Sequence, residues 1–188
     1  MLNQPQRSPA FIGYTPDDGS ARKDGYWLNV DVADGTTHTN SQTETAIASA
    51  TIEGGMLWDG AVIEFDAIVE VPDQNTTDTL TLVVYYGGTT LTTAIASSTA
   101  HDVADGDVWH CKGRIVVRDA DSSGTYIAWV EAGDTPVASG AAIANDIHVT
   151  QTASVDFTAD TLLEIGADWS VAHADNQVNT VTFNVRVH

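Results

Sequence analysis

The stretch from Ala61 to Val71 constrains the fold most, because it alternates strictly between apolar residues and a second, partly charged set. A period of two places each set on one face of a β-strand. The predicted buried face consists of Ala61, Ile63, Phe65, Ala67, Val69 and Val71. The opposite face, with Glu64, Asp66 and Glu70, is predicted to be mostly solvated. Pro72 has no N–H to donate, so we expect it to end the strand.

Similar short segments follow one another along the chain, and turn residues separate them. We predict about ten strands, at 26–32, 44–52, 61–71, 80–86, 89–97, 108–119, 126–132, 148–157, 161–169 and 178–187. A polar loop is predicted at 99–107, and a loop rich in Ala and Gly at 134–147. No stretch of useful length has helical periodicity. This spacing predicts an all-β antiparallel sandwich, for which we favour a jelly roll.

Two of these segments predict buried side chains beyond residue 100. On the strand at 108–119, one face carries Trp109, Cys111, Gly113, Ile115 and Val117. On the last strand, the predicted buried residues are Val181, Phe183, Val185 and Val187. Cys111 is therefore predicted to be a packed, unreactive thiol rather than a nucleophile.

Residues 1–25 differ from the rest and are predicted to form an extended N-terminal arm, with the jelly roll at 26–188. The arm holds three of the five prolines and no strand-like run. Its three basic and three acidic residues cancel, so the formal net charge of −19 belongs to residues 26–188. We expect a partner or a neighbouring subunit to hold this arm.

The excess of acidic residues, 26 against 7 basic ones, disfavours several partners. So acidic a chain repels nucleic-acid phosphates and anionic lipid, and we expect neither as a partner. No signal-peptide pattern or membrane-spanning run is present, so synthesis in a cytosol without export is expected. The single cysteine allows no intrachain disulfide.

Two acidic loops could in principle bind calcium. Asp119, Asp121 and Ser123 imitate the start of a calcium loop, but Val130 occupies the position that needs a bidentate Glu. The same residues suit a tight hairpin, which we favour. Asp102, Asp105 and Asp107, beside His101, are better explained as a solvated loop.

Catalytic patterns are equally weak. The six histidines show no metal-binding spacing. Glu64, Asp66 and Glu70 share one strand face and could be paired carboxylates, but a solvated face explains them better. The sequence therefore predicts a protein without catalytic, cofactor or metal sites, and not an enzyme.

A basic stripe on the strand at 108–119 has two explanations. His110, Lys112, Arg114 and Arg118 share the predicted outer face. They could pair with acidic residues of neighbouring strands, as cross-strand charges do. They could instead face an acidic surface of a sister subunit. The sequence favours neither.

From Thr37 onward the chain resembles jelly-roll, TNF-like virion proteins of tailed bacteriophages. The matching stretches are TDTLTLVVYYGGTTL at 77–91, WHCKGRIVVRDADSSGTY at 109–126 and TLLEIGADWSVAHADNQVNTVTF at 161–183. The resemblance implies a homotrimeric jelly roll that serves as a capsid decoration or cement protein, a head fibre or a tail-fibre tip. It supplies no catalytic residues.

Two functions follow as expectations. The first is a decoration protein on the outer surface of the head, docked on the major capsid protein through its arm. Arg7, Phe11 and Tyr14 are the predicted anchors in the arm, because Arg and aromatic side chains dominate protein interfaces. Lys112, Arg114 and Arg118 are further predicted partner-binding residues. The second function is a fibre tip that binds a host glycan or receptor, although 188 residues leave no room for a long shaft.

Overall fold

A computed structural model describes residues 26–31, 35–75, 77–135 and 146–188, which form twelve β-strands and no helix. The strands are β1 (Tyr26–Asp31), β2 (His38–Thr39), β3 (Thr45–Ile52), β4 (Val62–Asp73), β5 (Thr79–Gly88), β6 (Ala94–Ser97), β7 (His101–Asp102), β8 (Asp107–Asp119), β9 (Gly124–Thr135), β10 (Asp146–Val155), β11 (Thr161–Trp169) and β12 (Gln177–Val187).

All strands pair antiparallel, in two sheets that pack face to face. The seven-stranded sheet has the order β1-β12-β4-β8-β9-β10, with β2 also paired to β12. The five-stranded sheet has the order β3-β11-β5-β6, with β7 also paired to β5. The predicted all-β antiparallel sandwich is confirmed.

The strand order is that of a jelly roll. Leaving aside the two-residue strands and the β9–β10 hairpin, eight strands remain, four in each sheet. In chain order, the first, eighth, third and sixth are neighbours in one sheet, and the second, seventh, fourth and fifth in the other. This arrangement wraps two Greek keys around one core. The β9–β10 hairpin is inserted between the sixth and seventh strands and widens the seven-stranded sheet.

The core lies between the sheets and follows the predicted alternation. All six predicted residues from Ala61 to Val71 are buried, as are the five predicted residues of β8. Tyr86 of one sheet meets Tyr126 of the other edge to face, with ring centroids 5.1 Å apart. Gly113 leaves space for the ring of Phe65 on β4, because a Cβ at Gly113 would overlap that ring.

Four predicted details are corrected. Pro72 does not end β4: Asp73 still pairs with Gln177, and Pro72 itself has no pairing partner in the register. Val181 is only half-buried, since the register of β12 shifts between Thr180 and Thr182. The segment 89–97, predicted to be one strand, is a strand only from Ala94, because residues 89–92 form a turn.

The fourth correction concerns the loops. The loop predicted at 99–107 contains the short strand β7, and β9 and β10 both extend into the loop predicted at 134–147. The predicted arm at 1–25 lies outside the described residues.

Replacement of one isoleucine on each face of β4 should have unequal effects on stability. Ile63 is fully buried, and Ile68 on the opposite face is 36% exposed. We expect Ile63→Ala to lower the free energy of unfolding by about 2–5 kcal/mol, because it leaves a cavity between the sheets. Ile68→Ala should cost less than about 1 kcal/mol. Urea unfolding followed by tryptophan fluorescence measures both values, and equal losses would contradict the assigned faces of β4.

Cys111 should be unreactive in the folded protein. Its thiol is fully buried, and burial, with a smaller contribution from Asp66, raises its pKa to about 12. Since only the thiolate reacts, a thiol reagent such as 5,5′-dithiobis(2-nitrobenzoate) should label Cys111 at pH 8 only after urea unfolds the chain. Rapid stoichiometric labelling without urea would show that this part of the core opens.

Candidate binding face

A straight row of five side chains crosses the outer face of the seven-stranded sheet. The register places Trp27 of β1 opposite Arg186 of β12, and Arg186 opposite Glu64 of β4. Glu64 in turn lies opposite Arg114 of β8, which lies opposite Trp129 of β9. With strands about 4.8 Å apart, four steps separate the two tryptophans by about 19 Å of sheet. This row is called the Trp–Trp row below.

A second polar row lies beside it, two residues along the strands. Asn184 of β12 is opposite Asp66 of β4, and Asp66 is opposite Lys112 of β8. Between the two rows lies an open groove of about 410 Å³. It is lined by Trp27, Glu64, Phe65, Asp66, Lys112, Gly113, Arg114, Trp129, Asn184 and Arg186.

The charged side chains of this face pair across neighbouring strands. Arg114 Nε lies 3.6 Å from Glu64 Oε1, and His188 Nε2 lies 2.7 Å from Glu64 Oε2. Lys112 Nζ is 3.4 Å from Glu131 Oε2. Lys112 and Arg114 thus pair with acids on neighbouring strands, and His188, directly after β12, reaches Glu64 on β4. These contacts position the side chains across the sheet.

The basic stripe therefore follows the first of its two predicted explanations for three of its four members. Besides Lys112 and Arg114, His110 pairs with β4, its Nε2 lying 2.5 Å from Asp66 Oδ2. Arg118, near the end of β8, is exposed and forms no ion pair with another described residue. Contact of this stripe with a sister subunit stays a prediction.

This face holds every cation of residues 26–188. Of the seven Lys and Arg residues, three lie in the arm, and the other four are Lys112, Arg114, Arg118 and Arg186. Around the groove, Lys112, Arg114 and Arg186 are balanced by three acids: Glu64, Asp66 and Glu131, the partner of Lys112. The charges around the groove therefore cancel, whereas residues 26–188 together carry −19.

Both tryptophans of the row are unusually exposed for their size. The exposed fraction is 51% for Trp27 and 36% for Trp129. The guanidinium carbon of Arg186 lies 5.7 Å from the ring centroid of Trp27, within the range of a cation–π contact. Arg186 Nε is buried without a hydrogen-bond partner among the described residues. Two apolar rings thus flank a polar groove.

The outer face of the five-stranded sheet is chemically different. Tyr85 donates its hydroxyl to Glu44, whose two carboxylate oxygens lie 2.8 and 2.7 Å away. Burial and this bond to a carboxylate raise the pKa of Tyr85. Glu164 is buried and accepts a 2.8 Å bond from the backbone N–H of Leu91, which has a positive φ of 51°. Glu164 thus holds the turn after β5 in place, and no Lys or Arg of the described chain lies beside these acids.

The acidic loops also use their carboxylates to hold turns. Asp121 accepts a 2.6 Å bond from the N–H of Ser123, which is the local bond of a tight hairpin. Asp105 accepts from the N–H of Gln74, and Asp107 from that of Ala104. In the part of the chain that the structure describes, no three His, Cys, Asp or Glu side chains are grouped to hold a metal ion.

The predicted binding residues thus fall in two places. Arg7, Phe11 and Tyr14 lie outside the described residues, whereas Lys112, Arg114 and Arg118 lie on the face of the groove. Sequence reasoning missed Trp27, Trp129 and Arg186. Alternation within β9 does place Trp129 outward, between the buried Ala128 and Val130, but nothing local indicates that β1, β12 and β9 align their side chains in one row.

Comparisons with protein-family models, characterised proteins and solved structures found no match to this chain. Within the described ranges, no helix has the length and apolar character needed to cross a membrane.

Proposed function

We propose that this protein is a non-enzymatic structural protein of a tailed-phage virion, a decoration protein docked on the major capsid lattice at the outer surface of the head. The observation that carries the proposal is where the three resembling stretches fall in the fold. They supply β5, the hairpin between β8 and β9, and the successive strands β11 and β12. These strands include central members of both sheets, so the resemblance concerns the jelly roll itself rather than its loops.

The distribution of charge supports docking through limited regions of the chain. A second acidic surface is repelled by residues 26–188, because they carry a formal net charge of −19. Two regions have no net charge: the arm at 1–25 and the groove on the outer face of the seven-stranded sheet.

A second candidate is the tip of a tail or head fibre that binds a host glycan or receptor. The groove between Trp27 and Trp129 favours it, since exposed aromatic rings beside polar groups are typical of recognition sites. The two candidates differ in where the protein sits on the virion.

Deletion of residues 1–22 should abolish attachment to the head. The expected cause is loss of Arg7, Phe11 and Tyr14, which would supply the apolar and charge-assisted contacts to the capsid. Particles lacking the protein are mixed with full-length or truncated protein, and occupancy is measured by electron microscopy with a specific antibody. Circular dichroism checks that the truncated chain keeps its β-structure. Full occupancy by the truncated protein would exclude the arm as anchor, and label at fibre tips would favour the second candidate.

The protein should form a trimer that salt stabilises. The resemblance implies threefold symmetry, so light scattering is expected to give three times the chain mass of 19.9 kDa. Screening limits repulsion between acidic subunits to about 8 Å at physiological ionic strength. We therefore expect the dissociation constant of the trimer, measured by dilution, to fall as sodium chloride is added. A monomer at micromolar concentration would count against the trimer, and stability that falls with salt would mean that attractive pairs dominate its interface.

A further inference from the structure

We propose that the groove of the Trp–Trp row binds a neutral oligosaccharide. This rests on the second candidate function, glycan binding at this same groove, and names the class of glycan; attachment to the head through the arm is tested separately. The proposal rests on the shape, the side chains and the charge of the groove.

The flanking rings suit a ligand with apolar faces. Trp27 and Trp129 each leave a third or more of their surface uncovered at opposite ends of the groove. A pyranose ring presents C–H groups on its face, which can stack on an indole ring, and hydroxyl groups around its edge. Tryptophan offers a large, rigid area for such stacking at little conformational cost.

The floor between the rings suits the hydroxyl edge of the same ligand. Arg114 offers hydrogen-bond donors, Glu64 and Asp66 offer acceptors, and the amide of Asn184 offers both. A hydroxyl group both donates and accepts, so it can bond to each of these groups in turn. A wholly apolar ligand would remove water from these charged side chains and offer no hydrogen bonds in its place.

The balance of charge selects a neutral ligand. Arg114 already pairs with Glu64, and Lys112 pairs with Glu131. A phosphate or carboxylate would compete with these acids and approach a body of charge −19. A cation would instead meet Arg114 and Lys112. A sugar without charge meets neither obstacle.

The dimensions indicate a chain of several sugar units. The volume of about 410 Å³ lies within the range of small-molecule sites. The groove is open, however, and the row spans about 19 Å between the tryptophan backbones. An open groove of this length can hold the interior of a linear oligosaccharide, with one ring stacked near each end.

The test uses the full-length protein and a panel of neutral hexasaccharides: cellohexaose, maltohexaose, laminarihexaose, xylohexaose and hexa-N-acetylchitohexaose. Isothermal titration calorimetry measures the affinity, and tryptophan fluorescence reports the stacking. We expect at least one member to bind. Trp27→Ala and Trp129→Ala should each weaken that binding about tenfold or more, as loss of a stacked aromatic anchor does.

Two control variants separate the groove from general surface effects. Val171 is 44% exposed, lies outside the groove and is replaced in Val171→Ala. Ile68→Ala shortens an exposed side chain of the same face that does not line the groove. Both should bind like the unchanged protein. Affinity should also stay constant between 50 and 500 mM sodium chloride, roughly a threefold change in Debye length, because a neutral ligand releases no counterions.

Three outcomes would overturn the proposal. The first is that no sugar of the panel binds. The second is binding that both tryptophan variants leave unchanged, which would place the site elsewhere. The third is that the tryptophan variants alter the oligomeric mass in light scattering without any sugar binding, since the face would then be a protein interface. None of these outcomes decides the position on the virion, which antibody labelling tests separately.

Discussion

Apolar contact between the inner faces of the two sheets is the interaction on which the rest of the structure depends. Strict alternation along β4 and β8 gives each strand one buried face, and a one-residue slip would turn that whole face toward water. Burial thereby fixes the register of both strands. The same register sets the outer face, because Glu64 can lie opposite Arg114 only while Ile63 lies opposite Ile115. The order of the groove is thus a consequence of the packing beneath it.

Much of the fold follows from local sequence, because alternation and turn residues act over a few positions. The alternation from Ala61 to Val71 predicts the buried set of β4 correctly. The errors arise where pairing partners intervene. Val181 follows the period of two in sequence, yet a shift in the register of β12 removes it from the core. Residues 89–92 look like a strand, yet the buried carboxylate of Glu164 holds the backbone of Leu91 in a turn.

The candidate site was less accessible to sequence reasoning for a related reason. The outward direction of Lys112 and Arg114 follows from alternation within β8, and their partners Glu131 and Glu64 are close because the register puts them opposite. Trp27, Arg186 and Trp129 belong to strands that are distant in sequence, and only the sheet order β1-β12-β4-β8-β9 brings them into one row. A property shared by five strands cannot be derived from any one of them.

The ion pairs of this face explain little of the protein's stability. Exposed pairs of this kind contribute about 0–1 kcal/mol each, and Arg114 and Glu64 are both substantially exposed. Stability alone therefore gives no reason to place all four cations of residues 26–188 on one sheet face, beside two exposed tryptophans. For the oligosaccharide proposed above, this pairing would hold side chains in position in advance, which lowers the entropy lost on binding. A groove without net charge on an otherwise acidic body fits that proposed role better than a role in folding.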